Sequence, residues 1–326
     1  MFNLERVTKM KHNSQKVVIV GVGNVGSMTA YTLLNQGLCK EIVLIDRNED
    51  KALGEALDMQ HAAHFMDRKM NVRSGSYKDC EDADIVIITA SAPMNREMTD
   101  RTSMLAPSKA IMKSIVTSIM ENHFNGIMII ISNPVDIMTY YAWKLSGLPK
   151  NHVIGSGTTL DSTRLDCAIA DVLNIDSKSV NCAIIGEHGK SSVPVYSSAI
   201  VGGKKLTDIL TDDFIKEHGV TKDYFKNKTI AIGTDILKLK GNTSYGIAAS
   251  VSSIVKAILF DEDRVMMVTT FLNGEYGIKD FALSLPCVLN ADGIRENIEI
   301  HLNEEEEKQL KDSASFIASF YPILED

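Results

Sequence analysis

The chain has 326 residues, 44% of them hydrophobic, with 34 Lys and Arg against 42 Asp and Glu for a formal net charge of −8. Such a length predicts about two domains with ample core, and an acidic balance without a basic block excludes a nucleic-acid partner, whose binding is driven by cations. Five scattered cysteines without a CxxC pair (Cys39, Cys80, Cys167, Cys182, Cys287) speak against a disulfide framework and a metal site and for a reducing cytoplasm, and no stretch reaches the apolar length of a membrane span.

Residues 1–15 read as a mixed, polar, flexible extension, with Met10 a candidate natural start. The run VVIVGVGNVG over 17–26 is an apolar strand that breaks into Gly21, Gly23 and Gly26, the spacing that lets a backbone wrap a pyrophosphate. Gly21 makes the tight turn, Gly23 lets the backbone approach the phosphates, and Gly26 lets the next helix, over 25–36, pack closely on the strand. The following strand, 41–45, ends in Asp46, whose carboxylate suits the ribose hydroxyls of NAD and repels the 2′-phosphate of NADP. The competing reading is an ordinary tight turn with Asp46 capping a helix.

A helix over 50–64 and a strand over 84–89 come next, followed by a polar, turn-compatible segment, 91–105, that reads as a mobile lid with Arg101 near its far end. Arg96 and Arg101 are equally compatible with solvated loop charges. After a helix over 108–122, the strand at 126–132 runs into Asn133, whose backbone is restricted by Pro134 and whose amide suits a ribose and a substrate oxygen. A helix over 134–145 leads through Gly147 and Pro149 to a short strand at 153. Nearly continuous apolar strands alternating with helices specify an α/β, Rossmann-type doubly wound parallel sheet for residues 1–154.

Residues 155–326 have a mixed α+β grammar, expected to form a catalytic and oligomerisation domain. Helices are expected over 161–173, 223–240, 244–259 and 304–320, a strand over 180–185 and a hairpin-like region over 265–282. The four glutamates opening the last helix suit its positive end. Within IIGEHG at 184–189, His188 stands at a strand end, where α/β enzymes project side chains into the ligand crevice. Asp161 and Arg164 sit three apart on one helix face. A carboxylate there orients an imidazole, and a guanidinium grips a substrate carboxylate with two parallel bonds. The plain alternatives are a satisfied loop histidine and a surface ion pair of little energetic value.

Taken together and in order, GVGNVG, ISNPVD, GSGTTLDSTR, GEHG and KGNTSYG resemble the lactate and malate dehydrogenase superfamily along nearly the whole chain. The resemblance implies direct hydride transfer from NADH to the keto carbon of a 2-oxo monocarboxylate, with His188 as proton donor and Asp161 as its partner. It makes Arg164 the carboxylate clamp, Arg101 the lid arginine that polarises the carbonyl, and Asn133 a cofactor and substrate amide. It assigns Thr243, with Met94 or Asn95, to the substrate pocket. Asn24, Val25, Thr89, Ala90, Ser91 and Ile247 join Gly21, Gly23, Gly26 and Asp46 at the cofactor. A cytoplasmic homotetramer or homodimer serving glycolysis and fermentation is implied.

Departures from the family pattern concern the side chain of the substrate. At the lid position that selects it, glutamine accompanies pyruvate and arginine accompanies oxaloacetate; this chain has Met94 or Asn95 there, so malate is disfavoured. Thr243 is the lactate-type residue, whereas Lys190 after GEHG is shared with L-2-hydroxyisocaproate dehydrogenases, and Met94, Met98 and Met104 suit an adaptable apolar lining. Asp166 and Asn181 occupy the positions where fructose 1,6-bisphosphate-activated relatives carry an arginine and a histidine, so that control is expected to be absent. The expected activity is an NAD-dependent L-2-hydroxy acid dehydrogenase of the lactate type, with a larger-substrate enzyme as alternative. The rival from another class is a catalytically silent NAD-binding sensor.

Overall fold

The computed structural model describes residues 15–92 and 105–325. Its first half runs β1 (Lys16–Val20), α1 (Asn24–Gln36), β2 (Glu41–Ile45), α2 (Glu49–Ala63), β3 (Asn71–Ser74), β4 (Ile85–Ile88), α3 (Leu105–Glu121), β5 (Ile127–Ile130), α4 (Val135–Ser146) and β6 (Val153–Gly155). The six strands are parallel in the order β3-β2-β1-β4-β5-β6. This is the doubly wound arrangement whose crevice lies at the carboxyl ends of β1 and β4. β1, β4 and β5 are buried along their whole length, which is why they read as unbroken apolar runs. β3 escapes that signal, because NVRS carries one apolar residue, Val72, at the sheet edge.

The second half runs α5 (Thr159–Leu173), β7 (Val180–Asn181), β8 (Ile184–Ile185), β9 (Val193–Pro194), β10 (Ile200–Val201), β11 (Lys204–Lys205), α6 (Asp212–His218), α7 (Lys222–Lys240), α8 (Tyr245–Leu259), β12 (Arg264–Asn273), β13 (Lys279–Asn290), β14 (Gly293–Asn297) and α9 (Glu304–Ala318). The strand expected over 180–185 is two short strands in different sheets, β7 beside β10 and β8 beside β9. Side chains from α5 capture one amide between them and the one that opens β8: Asp166 Oδ1 accepts from Cys182 N at 2.9 Å, and Ser162 Oγ accepts from Ile184 N at 2.9 Å. The hairpin expected over 265–282 is longer, a three-stranded meander of β12, β13 and β14. Its first strand joins the parallel sheet through a single pairing, Thr269 opposite Gly155, so β6 is bonded to both β5 and β12. One nine-stranded sheet therefore crosses the molecule.

Helix ends follow the charges beside them. Asn48 caps α2 by accepting from Lys51 N, and Asn303 with Glu306 forms a capping box for α9, whose first turn holds Glu304, Glu305, Glu306 and Glu307. A second, smaller core gathers Leu165, Ile169, Ile184, Leu206 and Phe225 beneath α5 and α7. α7 buries only Phe225 and Thr229, so Phe225 is the anchor by which that helix lies against α5. Phe225→Ala is expected to cost about 3–5 kcal/mol in urea unfolding, whereas Phe65→Ala, at a residue 83% exposed, should stay within about 0.5 kcal/mol. Equal losses at the two sites would refute this account of α7.

Candidate active site

The glycine loop shows three distinct constraints. Gly21 has φ +99°, a left-handed conformation that favours glycine, and an added Cβ would lie 2.7 Å from Ala90 N. At Gly26 an added Cβ would fall 1.9 Å from Gly21 O, so the helix sits directly on the turn. At Gly23 an added Cβ would meet nothing within 4 Å. The loop is thus packed from within at two glycines and open on the side of the third. α1 begins there with no side chain capping its N-terminus and no acid in its first turn, leaving its partial positive charge available to an anion. Asn24 is exposed and Val25 half-buried.

Asp46 closes the neighbouring side. Its Oδ2 accepts from Val22 N at 2.8 Å and its Oδ1 from Asn48 N at 3.0 Å, which fixes the carboxylate at the tip of β2 beside the loop. Thr89 Oγ1 donates to Gly21 O at 2.5 Å, and Ser132 Oγ to Ala90 O at 2.5 Å, so the ends of β1, β4 and β5 are tied together with Ser91 exposed beyond them. Asn133 follows, its Oδ1 buried and without a hydrogen-bond partner among the described residues. A buried amide oxygen left unpaired is destabilising unless a ligand supplies a donor. The open face at Gly23, the uncapped helix end, the fixed carboxylate and this orphaned amide fit a bound dinucleotide.

Across the crevice stands the polar cluster of the second half. His188 Nδ1 lies 2.5 Å from Asp161 Oδ2, and Arg164 Nη1 donates to Asp161 Oδ1 at 3.2 Å. The i,i+3 pair that a sequence reading leaves as a possible surface bridge is in fact enclosed: the Asp161, Arg164 and His188 side chains are 11%, 16% and 16% exposed. With Nδ1 turned to the carboxylate, the Nδ1–H tautomer is favoured and Nε2 is the ring nitrogen directed away from Asp161. Gly246, one residue before Ile247 at the start of α8, would bring a Cβ to 3.0 Å from Leu160 Cδ1, so the half-buried Thr243 and Ile247 stand by the start of α5. Met94, Asn95 and Arg101 lie outside the described residues, with Arg96, Met98 and Met104.

Three contributors escape a linear reading. Asp136 Oδ2 accepts from His188 N at 2.8 Å. Ser313 Oγ on α9 accepts from Glu187 N at 2.9 Å, clamping the histidine loop from behind. Gly233 in α7 faces the guanidinium, with an added Cβ 3.3 Å from Arg164 Nη1. A glycine inside a long helix and an acid directly after Asn-Pro-Val were the available signals. Asp166 is partly enclosed, and burial pushes its carboxyl up to about 7 although the Cys182 amide opposes the shift. Asn181 is exposed on β7.

The family model described as lactate/malate dehydrogenase, NAD binding domain, matches residues 15–155, and that described as lactate/malate dehydrogenase, alpha/beta C-terminal domain, matches 158–319. L-lactate dehydrogenase 2 of Bacillus anthracis is 44% identical over 316 residues, covering 97% of this chain and 100% of the relative. L-lactate dehydrogenase 3 of Bacillus thuringiensis subsp. konkukian is 42% identical over 315 residues, covering 97% and 99%. Among solved structures, the ligand-bound minor L-lactate dehydrogenase of Enterococcus mundtii superposes with a TM-score of 0.90 at 38% identity, covering 96% of this chain and 99% of that one.

The contrast between two glycines checks the cradle. Gly23→Val should leave unfolding stability within about 1 kcal/mol while weakening NADH binding at least roughly tenfold, because its side chain enters only the ligand's space. Gly26→Ala should instead destabilise the fold by about 3 kcal/mol or more, since its Cβ meets backbone. Fluorescence titration and thermal unfolding read both, and an NADH affinity unchanged by Gly23→Val would remove the loop from the cofactor site.

Proposed function

Since the chain belongs to the lactate/malate dehydrogenase family, we propose that it is an NAD-dependent L-2-hydroxy acid dehydrogenase of the L-lactate type, interconverting pyruvate and L-lactate. The observation that carries the catalytic reading is the bond from Asp161 to His188 Nδ1, made by a carboxylate that also holds Arg164.

When bound, NADH supplies the hydride to the substrate carbon. The chain's own residues handle binding and the proton. Arg164 has five N–H donors, and with Nη1 engaged to Asp161 it retains the capacity for a two-pronged contact with a substrate carboxylate. Such a contact fixes the keto carbon relative to the glycine-loop side of the crevice. His188 then gives the proton from Nε2 to the carbonyl oxygen as that oxygen becomes a hydroxyl. Asp161 favours the imidazolium before transfer and keeps the ring aligned afterwards; in lactate oxidation His188 acts as base. Asn133 offers its amide to the ribose and to the substrate oxygen, and Arg101 is the cation that polarises the carbonyl.

Met94 and Asn95, at the lid position where glutamine accompanies pyruvate, favour a second, overlapping reading. An apolar pocket discriminates a methylene by only about 1–3 kcal/mol, so larger 2-oxo acids should be turned over beside pyruvate. For the assembly we infer a homotetramer or homodimer: Tyr31 on α1, Leu53 and Leu57 on α2 and Tyr245 on α8 are exposed, and α1 packs against both α2 and α8. Cytoplasmic residence is supported by five unpaired cysteines, four of them buried, and among the described residues no helix is long and apolar enough to cross a membrane. There the reaction would reoxidise NADH in fermentation.

His188→Ala should abolish reduction of pyruvate while NADH still binds, read by absorbance at the cofactor band and by fluorescence titration; a variant with near-normal kcat would make the histidine structural. Among substrates, kcat/KM should be highest for pyruvate, measurable for 2-oxo-4-methylpentanoate and small for oxaloacetate, whose second carboxylate would be desolvated without a partner, and fructose 1,6-bisphosphate should leave these rates unchanged. Preference for oxaloacetate, or strong activation by the bisphosphate, would overturn the assignment.

A further inference from the structure

The carboxylate behind the proton donor is more completely buried than the one beside it. Asp136, the second residue of α4, is 2% exposed, and its oxygens are bonded by groups far away in the chain: Oδ2 by His188 N at 2.8 Å and Oδ1 by Thr269 Oγ1 on β12 at 2.7 Å. A buried carboxylate bound by two neutral donors is expensive to keep ionised unless a positive charge lies close. Burial indeed pushes this carboxyl up to about 6, and the group of opposite sign that opposes the shift is the His188 imidazole.

On the premise that His188 is the proton donor, we propose that Asp136 is its positioning residue: the carboxylate, held by Thr269, anchors the His188 main chain from α4 and by its charge keeps the imidazole protonated for reduction. Asp161 and Asp136 thereby flank one histidine, the first aligning the ring and the second the backbone that carries it. Among the described residues, the other charges facing this pair are few. Arg164 approaches through Asp161 from α5, and Glu187 in the histidine's own loop spends one oxygen on Ser191 N and Ser191 Oγ. Lys190 is exposed, and the groups meeting the loop from β13 and α9, Ser284 and Ser313, are uncharged. Tyr321 stands near Asp136 with its hydroxyl accepting from Ala282 N, and burial raises that phenol, keeping it neutral.

Asp136→Asn tests this, because the amide has nearly the carboxylate's shape. Its oxygen accepts from His188 N, and its nitrogen donates to Thr269 Oγ1, whose own proton turns toward Ser284 Oγ, 3.5 Å away. The hydrogen bonds survive and the charge does not. With the full-length enzyme, the alkaline limb of kcat/KM for pyruvate reduction and the acidic limb for lactate oxidation should both move to lower pH by about 0.5 unit or more, roughly threefold in rate on the alkaline flank, with NADH affinity unchanged. A structural role alone lowers kcat without moving either limb, and unmoved limbs overturn the proposal. Should the wild type reduce no 2-oxo acid, the functional assignment falls instead; the His188 ring titration by proton NMR then decides, and an imidazole titrating alike in wild type and variant refutes Asp136's part. If Asp136→Asn does not fold, Thr269→Val weakens the same anion and must shift the same limbs downward; no shift there refutes it equally.

Discussion

Everything in the crevice is arranged around one shared anion, the Asp161 carboxylate. At 8% exposure it would be intolerable alone, since a desolvated charge costs several kcal/mol, and it is held by bonding an imidazole through one oxygen and a guanidinium through the other. That double engagement dictates the surroundings. α5 must present Asp161 and Arg164 one turn apart, the loop after β8 must bring His188 to the same place, and α7 must leave a glycine over the guanidinium. A proton donor and an anion clamp held by the same carboxylate share one frame of reference, so a substrate gripped at its acid end arrives with its carbonyl already registered to the histidine.

What the sequence made legible is what local rules govern. Glycine spacing betrays a backbone constraint that no distant residue can alter, and the structure places Gly21 and Gly26 where any Cβ would strike backbone. Unbroken apolar runs disclose β1, β4 and β5 because both faces are covered. β3 was hidden by its edge position, and the division of 180–185 into β7 and β8 by side chains on α5 that bind the Cys182 and Ile184 amides. The meander was underestimated because Pro286 interrupts the expected pattern, yet it pairs opposite Met267 within β13. The support behind His188 was hidden for a related reason: Asp136, Thr269 and Ser313 meet only in three dimensions, across separations of 133 and 126 residues.

Formal charge counting also misreads particular acids. Asp136 and Asp166 both enter the net charge of −8 as full anions, yet burial raises the first to about 6 and the second to about 7. The two differ in what opposes the shift. Asp136 has an imidazole and two donors, whereas Asp166 has the Cys182 amide, so near neutrality the former is mainly a charge and the latter in large part a neutral link from α5 to the strand that leads to His188.

The clamp of Ser313 upon the histidine loop carries a temporal consequence. Ser313 belongs to the final helix, and Gly186, Glu187 and Ser191 all rest against it. During synthesis the glycine loop, Asp46 and Asn133 emerge and can close long before α9 does, while the geometry of the proton donor waits for that helix. A nascent molecule would pass through an interval in which the phosphate-binding loop is formed and the proton donor is not yet held in place.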